Sequence, residues 1–563
     1  MFDMLLKAAK DKAVWEQIRT SENYEPFRRQ LSEFYREMDG EIPVLYFQDF
    51  QDYFRTGTRL FFEKKYFLRR GQLLAAVGMY LIERKSEYLK RVENVLWAIC
   101  DEYTWSLPAH IPTEQKNDLA RGYVDLFAGE TSFALSEISC LLEDELEPWL
   151  LQRIKSEIEL RIILPYESRQ FFWENVEMNW AAVCCGSVGA CYLYLFPERF
   201  PKVKQRIIDT MKCFLNGFGA DGCCREGMSY WNYGFGFFTY FADLLFEFTD
   251  GAENLFAEEQ AENAARFQQN VFMNPSTVVS FADCGPDSKV EPGIISYLTR
   301  RYSGKVFSAG NSADFLDLND RCRRWTTFVR NLVWTDLKTI VPQSAKGFHF
   351  FEDAQWYINH NGPFTLAAKG GHNDEPHNHN DLGGIILADD AEQLLCDFGS
   401  GLYTHAYFQP ETRYDVISNA SAGHSVPIIA GTLQAPGVTH CAKVLHADKT
   451  GFSVDIAGAY DLKDLKSAVR TLHIQSEVIT LRDCFEFVGA DHSVTERFIT
   501  KHMPIYKDGK TYVKSLQMCS EIQPEISQVV FTDHFGKEHT YYTIDYVFLD
   551  MVEFNIEFKR SEL

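Results

Sequence analysis

The hydrophobic pattern of the chain changes once along its length, and this change constrains the fold more than any other feature. In the first part, apolar residues recur at helical spacing, as Val92, Val95 and Ile99 do at i, i+3 and i+7. In the second part, short β-branched and aromatic runs such as "GFSVDIAGAY" are separated by turn residues at strand-like spacing. We therefore predict a multidomain α+β protein, with helices in residues 1–345 and strands in residues 346–563.

Each part indicates an architecture. The first part consists of one helical segment after another with short connections. Proline residues such as Pro165, Pro197 and Pro201 separate these segments. This pattern is typical of a helical array or an (α/α) toroid. The second part has the strand lengths and turn spacing of an antiparallel β-sandwich.

Composition excludes several classes of function. The 563 residues carry a formal net charge of −23, so no overall basic field attracts nucleic acid. No segment reaches the roughly 18 consecutive apolar residues of a membrane helix, and the N-terminus lacks the features of a signal peptide. The 14 cysteines form neither a disulfide framework nor a zinc knuckle. We expect a cytoplasmic protein, whose oligomeric state the sequence leaves open.

The stretch "GGHNDEPHNHNDLGG" is the densest group of side chains that could take part in catalysis or bind a metal ion. If it were a strand, His377, His379 and Asp381 would share one face. Further along, "LLCDFGSG" and "NASAGHSVPIIAG" place Asp397 and His424 beside predicted strands. Two imidazoles and a carboxylate, with a water, are a plausible tetrahedral zinc site. The spacing alone does not say which imidazole binds metal and which takes part in catalysis.

These motifs together resemble the heparinase II/III-like polysaccharide lyases, a family that includes heparinases and oligoalginate lyases. The sandwich part contributes "HNHNDLGGIIL", "LLCDFGSGLY" and "NASAGHSVPIIAG", and the helical part contributes "TWSLPAHIP", "DLFAGET", "MNWAAVCCGSVG" and "DGCCREGMSYWNYG". The resemblance covers roughly residues 45 to 490. It implies an incomplete (α/α) toroid followed by an antiparallel β-sandwich, with the active site between them, and a β-elimination reaction.

Carried over position by position, the resemblance implies a catalytic set and a zinc set. The catalytic residues are Asn179, Tyr230 and His377, and the ligands of a mainly structural zinc ion are His379, Asp397 and His424. Trp180 follows Asn179 where several members of the family have histidine. A second histidine of the toroid is therefore missing or is supplied from elsewhere, for example by His110. Tyr233 is a second candidate for the tyrosine role.

The expected chemistry explains why these residue types are needed. A uronate-containing chain can be cleaved by removing the proton on C5 and expelling the sugar at C4. Amide and imidazole donors, here Asn179 and His377, can neutralise the carboxylate and stabilise the enolate-like species. Tyr230 can act as both base and acid in a syn elimination, or as acid opposite a histidine base in an anti elimination. Both routes stay open at this point.

Four residues are candidates for binding the substrate. They are Trp105 and His110 in "TWSLPAHIP", Glu226 before the catalytic tyrosine, and Arg413, whose planar guanidinium suits a carboxylate or sulfate. The expected substrate is an acidic oligosaccharide or polysaccharide of glycosaminoglycan or alginate type.

Two other functions are compatible with a helical toroid. A glycoside hydrolase would use a carboxylate pair from among Asp125, Glu130 and Glu226, but it would give His377 no role. A carbohydrate-binding protein with a structural zinc ion would need neither a base nor an acid.

Overall fold

The computed structural model describes residues 6–112, 120–318, 320–343, 345–489, 492–534, 536–549 and 552–561. Helices dominate as far as Val333, and strands dominate from Phe348 onward. The predicted α+β fold, a helical toroid followed by an antiparallel β-sandwich, is confirmed. No helix within the described ranges has the length and apolar character needed to cross a bilayer.

The helices of the first region vary from short turns to the long α5. Their bounds are α1 Lys7–Lys10, α2 Lys12–Thr20, α3 Glu25–Met38, α4 Phe47–Thr56, α5 Leu60–Glu83, α6 Ser86–Cys100, α7 Leu126–Leu141, α8 Pro148–Ile158, α9 Leu164–Ser168, α10 Asn179–Leu195, α11 Lys204–Asn216, α12 Met228–Tyr230, α13 Gly236–Phe248, α14 Glu259–Val271, α15 Pro292–Arg301 and α16 Trp325–Val333. π-Helical turns at Glu159–Ile163 and Trp231–Phe235 join α8 to α9 and α12 to α13.

The strands pair antiparallel throughout the named ladders. Their bounds are β1 Phe272–Asn274, β2 Thr277–Val278, β3 Phe348–Phe351, β4 Trp356–Asn359, β5 Thr365–Lys369, β6 His372–Asn373, β7 Ile385–Ala388, β8 Gln393–Leu395, β9 Pro427–Ile429, β10 Gly437–Cys441, β11 Lys443–Asp448, β12 Gly451–Asp455, β13 Leu465–Ile474, β14 Ile479–Phe487, β15 Ser493–Thr500, β16 Ile505–Lys507, β17 Lys510–Val513, β18 Leu516–Cys519, β19 Glu525–Thr532, β20 Glu538–Leu549 and β21 Glu553–Arg560.

Three larger sheets build the sandwich. Their strand orders are β3-β4-β5-β7-β8, β11-β12-β13-β14-β21-β18-β17-β16 and β19-β20-β15-β9. The five-stranded sheet has two apolar faces. Trp356 and Ile358 pack into the core of the helical region, whereas Tyr357 packs into the core of the sandwich. Because side chains alternate along a strand, this one sheet joins both cores.

Helix α10 lies at the centre of the helical region. It is apolar on all sides, as expected of a buried helix, and it packs against α7, α11 and α13. Gly189 allows the close approach of α13, because a Cβ atom there would lie 2.3 Å from the ring of Phe241. The N-terminal end of α10 begins at Asn179, so the packing of this helix fixes the position of a predicted catalytic residue.

The boundary between the two regions is crossed by residues 272–283, which follow α14 but pack on the sandwich. Thr365 donates a hydrogen bond to the carbonyl of Met273 at 2.8 Å, and Asn274 donates to the carbonyl of Asp389 at 2.8 Å. The segment therefore brings its last residue, Asp283, against the sandwich.

A buried ion cluster joins two sheets of the sandwich and gives a test of the fold. Arg470 Nη2 lies 2.7 Å from both Asp483 and Glu496, and all three side chains are buried. Arg470→Met leaves two buried carboxylates without their cation, and we expect a loss of about 3–5 kcal/mol in the free energy of unfolding. Urea denaturation measures the loss.

Arg482→Met is the matched control, because Arg482 lies on the neighbouring strand and pairs with Glu553 on the surface. Exposed pairs contribute little, so this variant should unfold close to the wild type. Equal unfolding midpoints for the two variants would contradict the assigned role of the cluster.

Candidate active site

The histidine stretch is a loop between β6 and β7, so the prediction of a strand is wrong. His377 has a φ of 57° and Gly383 a φ of 80°, both in the left-handed region that a strand does not contain. A positive φ at a residue other than glycine is uncommon and is often found at functional sites. The side chains of this loop do not alternate between two faces as they would in a strand. His377 and His379 nevertheless bind the same partner.

That common partner is the carboxylate of Asp283, which sequence reasoning missed. Oδ2 lies 2.7 Å from His377 Nδ1 and accepts a hydrogen bond from Tyr403 at 2.9 Å. Oδ1 lies 3.1 Å from His379 Nε2 and accepts a hydrogen bond from Tyr407. Since an ionised carboxylate has about four lone-pair positions, these donors saturate it. Burial alone would raise the pKa of Asp283, but the bonds from the two histidines hold it well below its usual range.

The bonds to Asp283 determine which nitrogen of each histidine carries hydrogen. His377 donates from Nδ1, so its Nε2 keeps a lone pair, and His379 donates from Nε2, so its Nδ1 keeps one. Within the described ranges, His379 Nδ1 is buried and has no hydrogen-bond partner. Burial also lowers the pKa of His379, which favours the neutral ring. One imidazole therefore presents a basic nitrogen toward the helical region, and the other presents one inside the sandwich.

Tyr230 lies directly against His377, across the boundary between the two regions. The ring centroids are 4.2 Å apart with an interplanar angle of 28°. Tyr230 is the last residue before the π-helical turn Trp231–Phe235, and such turns are frequent at functional sites. Burial and the charge of Asp283 raise the pKa of Tyr230, so the phenol keeps its proton.

Asn179 and Glu226 complete the group on the helical side. Glu226 accepts hydrogen bonds from the backbone of Asn179 at 3.0 Å and from its Nδ2 at 2.6 Å. Glu226 Oε1 also lies 3.5 Å from Nε2 of His377. Burial raises the pKa of Glu226, although the nearby His377 opposes the shift. The structure thus brings the three predicted catalytic residues and Glu226 together; their roles stay a prediction.

Trp105 and His110, two of the other predicted substrate-binding residues, differ in how far they are exposed. Trp105 is only 1% exposed and donates to the carbonyl of Ile99, so its ring cannot line a sugar subsite, and that prediction is wrong. His110 is partly exposed and contacts Trp180, with ring centroids 5.0 Å apart. Trp180 in turn packs against Phe172, which is exposed, so these rings offer the aromatic surface expected of Trp105.

Arg413 is half-buried and connects two loops of the site. It donates to the carbonyls of Asn378 at 2.8 Å and Tyr407 at 3.2 Å. These bonds use two of its five N–H groups and join the histidine loop to the loop of Tyr407, and its pairing with a substrate anion stays a prediction. Arg59 is a cation that sequence reasoning missed; its Nη2 lies 3.4 Å from Nε2 of His110, and its charge opposes the raised pKa of Tyr230.

Tyr233, the second candidate for the catalytic tyrosine, is hydrogen-bonded away from His377. Tyr233 donates its hydroxyl hydrogen to Glu130, which also pairs with Arg324 at 3.0 Å. Burial raises the pKa of Glu130 to about 6, against the opposing charge of Arg324. Of the two phenols, Tyr230 is the one that stacks on His377.

A group of buried side chains of the types that bind metal ions lies near His379. Asp381, Asp397 and His424 each offer a ligand atom, and these atoms lie within 4.8 Å of one another. His424 bonds the carbonyl of Ser418 through Nε2 at 2.9 Å, which leaves Nδ1 facing Asp397 at 3.0 Å. Asp381 was predicted on the face of His377 but belongs to this group.

The donor set of this group fits a zinc ion. Nitrogen and carboxylate oxygen atoms are the ligands that zinc takes, and His379 Nδ1 and Asp381 Oδ2 are buried without a hydrogen-bond partner within the described ranges. Lys369 supplies one positive charge by pairing with the other oxygen of Asp381. Asp381 thus adds a carboxylate that the sequence did not indicate, and the predicted ligand His379 lies beside the group, with its ring centroid 5.3 Å from that of His424.

One sequence signal would have found Asp283. It lies in "VSFADCG", an apolar run that ends in aspartate and is followed by glycine, as Asp397 does in "LLCDFG". Tyr403 ends the motif "LLCDFGSGLY", but the sequence analysis gave it no role, and Tyr407 follows in "THAYF", which reads like aromatic core.

Solved structures of polysaccharide lyases match almost the whole chain. Heparinase III matches with a TM-score of 0.60 at 13% identity, over 98% of this chain and 91% of the other. A heparan sulfate lyase mutant from Pedobacter heparinus matches with a TM-score of 0.58 at 11% identity, over 97% and 90%. The chain shares their fold. A chondroitin AC lyase from Streptomyces coelicolor A3, in complex with chondroitin sulphate, matches with a TM-score of 0.53 at 9% identity, over 98% and 82%.

Beyond the short motifs, the likeness is carried by the structure. No family model matches the sequence, and no curated protein matches it significantly. At such low identities the shared fold is established, and the function has to be inferred from the site itself.

The saturated carboxylate of Asp283 leads to a prediction about stability. Asp283→Asn replaces two acceptor positions by N–H groups that face existing donors, and we expect a loss of about 3 kcal/mol at neutral pH. Because the folded-state pKa of Asp283 is lowered, the stabilisation is present above the unfolded pKa of about 4 and is lost as pH falls through the lower folded value.

The difference between the wild type and Asp283→Asn should therefore shrink below about pH 4, as measured by denaturation at several pH values. Asp287→Asn, an exposed position in the same loop, is the control and should unfold like the wild type. A difference that grows toward low pH would contradict the assignment.

Proposed function

We propose that the protein is a polysaccharide lyase that cleaves uronate-containing glycans, of glycosaminoglycan or alginate type, by β-elimination. The observation that carries the proposal is the contact between Tyr230 and His377, at a ring separation of 4.2 Å, in a fold shared with heparinase III and chondroitin AC lyase. A phenol and an imidazole in contact provide the acid and the base that an elimination needs.

His377 is the base in this proposal. Its Nδ1 hydrogen is held by Asp283, so Nε2 is free to take the proton from C5 of the uronate. Glu226 Oε1, 3.5 Å from Nε2, stabilises the imidazolium ion that results. The electron pair of the C5–H bond passes to the enolate-like carboxylate and then forms the C4–C5 double bond as the bond from C4 to oxygen breaks.

Tyr230 is the acid. Its raised pKa keeps the phenol protonated, so it can give its proton to the departing oxygen at C4. The stacked rings of Tyr230 and His377 reach a sugar from the same side, which favours syn elimination over anti elimination. Syn elimination requires a uronate whose C5 hydrogen and C4 oxygen are cis, as in the gluco and manno configurations.

The substrate carboxylate must be neutralised before the C5 proton becomes acidic enough to remove. Asn179 Nδ2 uses one of its two hydrogens for Glu226, which leaves the other for the substrate. Arg59 adds a positive charge close enough to act on Tyr230, and Trp180 with Phe172 offers aromatic faces to sugar rings.

The hydrolase alternative is weaker, because its carboxylates already have structural partners. Asp125 is fully buried, accepts hydrogen bonds from the backbone of Leu107 and Ala128, and lies 2.7 Å from Nδ1 of His110. Glu130 is bound by Tyr233 and Arg324. Neither carboxylate is left to activate a water molecule.

Variants of Tyr230 and His377, with Tyr233 as the control position, test the proposed reaction. With a uronate oligosaccharide as substrate, the unsaturated product absorbs ultraviolet light because its double bond is conjugated to the carboxylate. We expect Tyr230→Phe and His377→Ala to lower kcat by about 10²–10⁴-fold, the usual contribution of a general acid or base.

Tyr233→Phe is the matched control and should keep most of the rate. Circular dichroism checks that each variant is folded. New reducing ends without ultraviolet absorbance would indicate hydrolysis and would refute the lyase proposal, whereas a large loss in Tyr233→Phe alone would reverse the two tyrosine roles.

We further propose that the protein holds a zinc ion through His379, Asp397, His424 and Asp381. When bound, such an ion supplies rigid crosslinks between the loops that carry these residues. Its effect on the active site is positional, because His379 shares Asp283 with His377.

Metal analysis of the purified protein tests this second proposal. We expect zinc equimolar with the chain, and we expect His424→Ala and Asp397→Asn to lose it and to unfold at a lower temperature. His440→Ala is the control, because His440 pairs with Asp461 at a separate, more exposed position. Wild-type protein that binds no zinc after incubation with the metal would refute the proposal.

A further inference from the structure

Tyr403, the last residue of "LLCDFGSGLY", connects the two halves of the active site, and the sequence analysis gave it no role. Its hydroxyl oxygen lies 3.2 Å from that of Tyr230 and 2.9 Å from Oδ2 of Asp283. It therefore lies between the proposed acid and the carboxylate that holds the proposed base.

The number of hydrogens on these groups determines the direction of the bonds. A phenol hydroxyl has one hydrogen, and an ionised carboxylate has none to give. Tyr403 must donate its hydrogen to Asp283, so the hydrogen between the two phenols belongs to Tyr230. In the resting site Tyr230 donates to Tyr403, and Tyr403 donates to Asp283.

The ring of Tyr403 is held in place by its neighbours. Its centroid lies 4.8 Å from that of Tyr407, 4.9 Å from that of Phe408 and 3.9 Å from that of His534. Burial and the charge of Asp283 raise the pKa of Tyr403, so it remains a donor. With the ring packed on several sides, the motion that costs least is rotation of the hydroxyl hydrogen about the C–O bond.

We propose that Tyr403 is a positioning residue that supports Tyr230 as the acid by turning its own hydroxyl hydrogen from Asp283 to the oxygen of Tyr230 as that phenol loses its proton. The inference rests on the proposed lyase function. In the step, the O–H bond of Tyr230 breaks and its hydrogen bonds to the departing oxygen, which keeps the electron pair from C4. The negative charge left on Tyr230 accepts the Tyr403 hydrogen bond, and the O–H bond of Tyr403 stays intact.

The test compares two substrates that differ in their need for an acid. One is a uronate oligosaccharide, whose leaving group is a sugar oxygen that needs a proton. The other carries fluoride at C4, which departs as an anion without one. We expect Tyr403→Phe to lower kcat on the oligosaccharide by about 10- to 100-fold, the loss typical of a hydrogen bond to a charged group. KM should change little, and the loss on the fluoride should be small and no larger than that of Tyr407→Phe, because it reports only the lost hydrogen bond to Asp283.

Tyr407→Phe is the matched control. Tyr407 also donates to Asp283, and within the described residues no hydrogen bond joins it to Tyr230. It should therefore act only through the base and slow both substrates alike. As a second measurement, the double variant Tyr230→Phe/Tyr403→Phe should be no slower on the oligosaccharide than Tyr230→Phe, because the two residues act as one unit.

Three outcomes would overturn the inference. Equal losses on the two substrates in Tyr403→Phe would indicate a structural role. An unchanged rate on the oligosaccharide would show that Tyr230 needs no support, and the lyase function would stand. A wild-type protein that forms no unsaturated uronate from either substrate would refute the proposed function together with the inference.

Discussion

The rest of the site depends on one buried carboxylate. Asp283 belongs to the helical region by sequence, yet its four hydrogen-bond partners all come from the sandwich: His377, His379, Tyr403 and Tyr407. A buried charge is tolerated only when it is fully paired, so the two regions must meet in one arrangement for the charge to be satisfied. The same bonds favour one tautomer for each histidine, and the proposed roles of His377 in catalysis and His379 in metal binding follow from these tautomers.

The two proposed functions of the site are therefore physically linked. His379 bonds Asp283 through one nitrogen and lies beside His424 of the proposed metal group, while Asp283 also binds His377, which stacks on Tyr230. Hydrogen-bonded partners of metal ligands commonly orient them in this way. The proposed metal would therefore act on the proposed reaction through Asp283, without touching the substrate.

The sequence was sufficient for the features that depend on local pattern. The change of hydrophobic period predicted both architectures, and short motifs located Tyr230 and His377. It was misleading where backbone conformation decides, because "HNHND" imitates a strand and the positive φ of His377 leaves no mark in the sequence. It was silent on Asp283, which lies 94 residues from His377 along the chain. Trp105 was misjudged because burial depends on packing that its neighbours in sequence do not reveal.

The central claim is that an imidazole and a phenol, fixed by one carboxylate, act on the same side of a sugar. The most direct measurement compares two oligosaccharides that differ only in the configuration at C5 of the uronate, with product formation followed by ultraviolet absorbance. We expect the glucuronate form, whose C5 hydrogen and C4 oxygen are cis, to yield unsaturated product, and the iduronate form to yield little. Faster cleavage of the iduronate form would contradict the account.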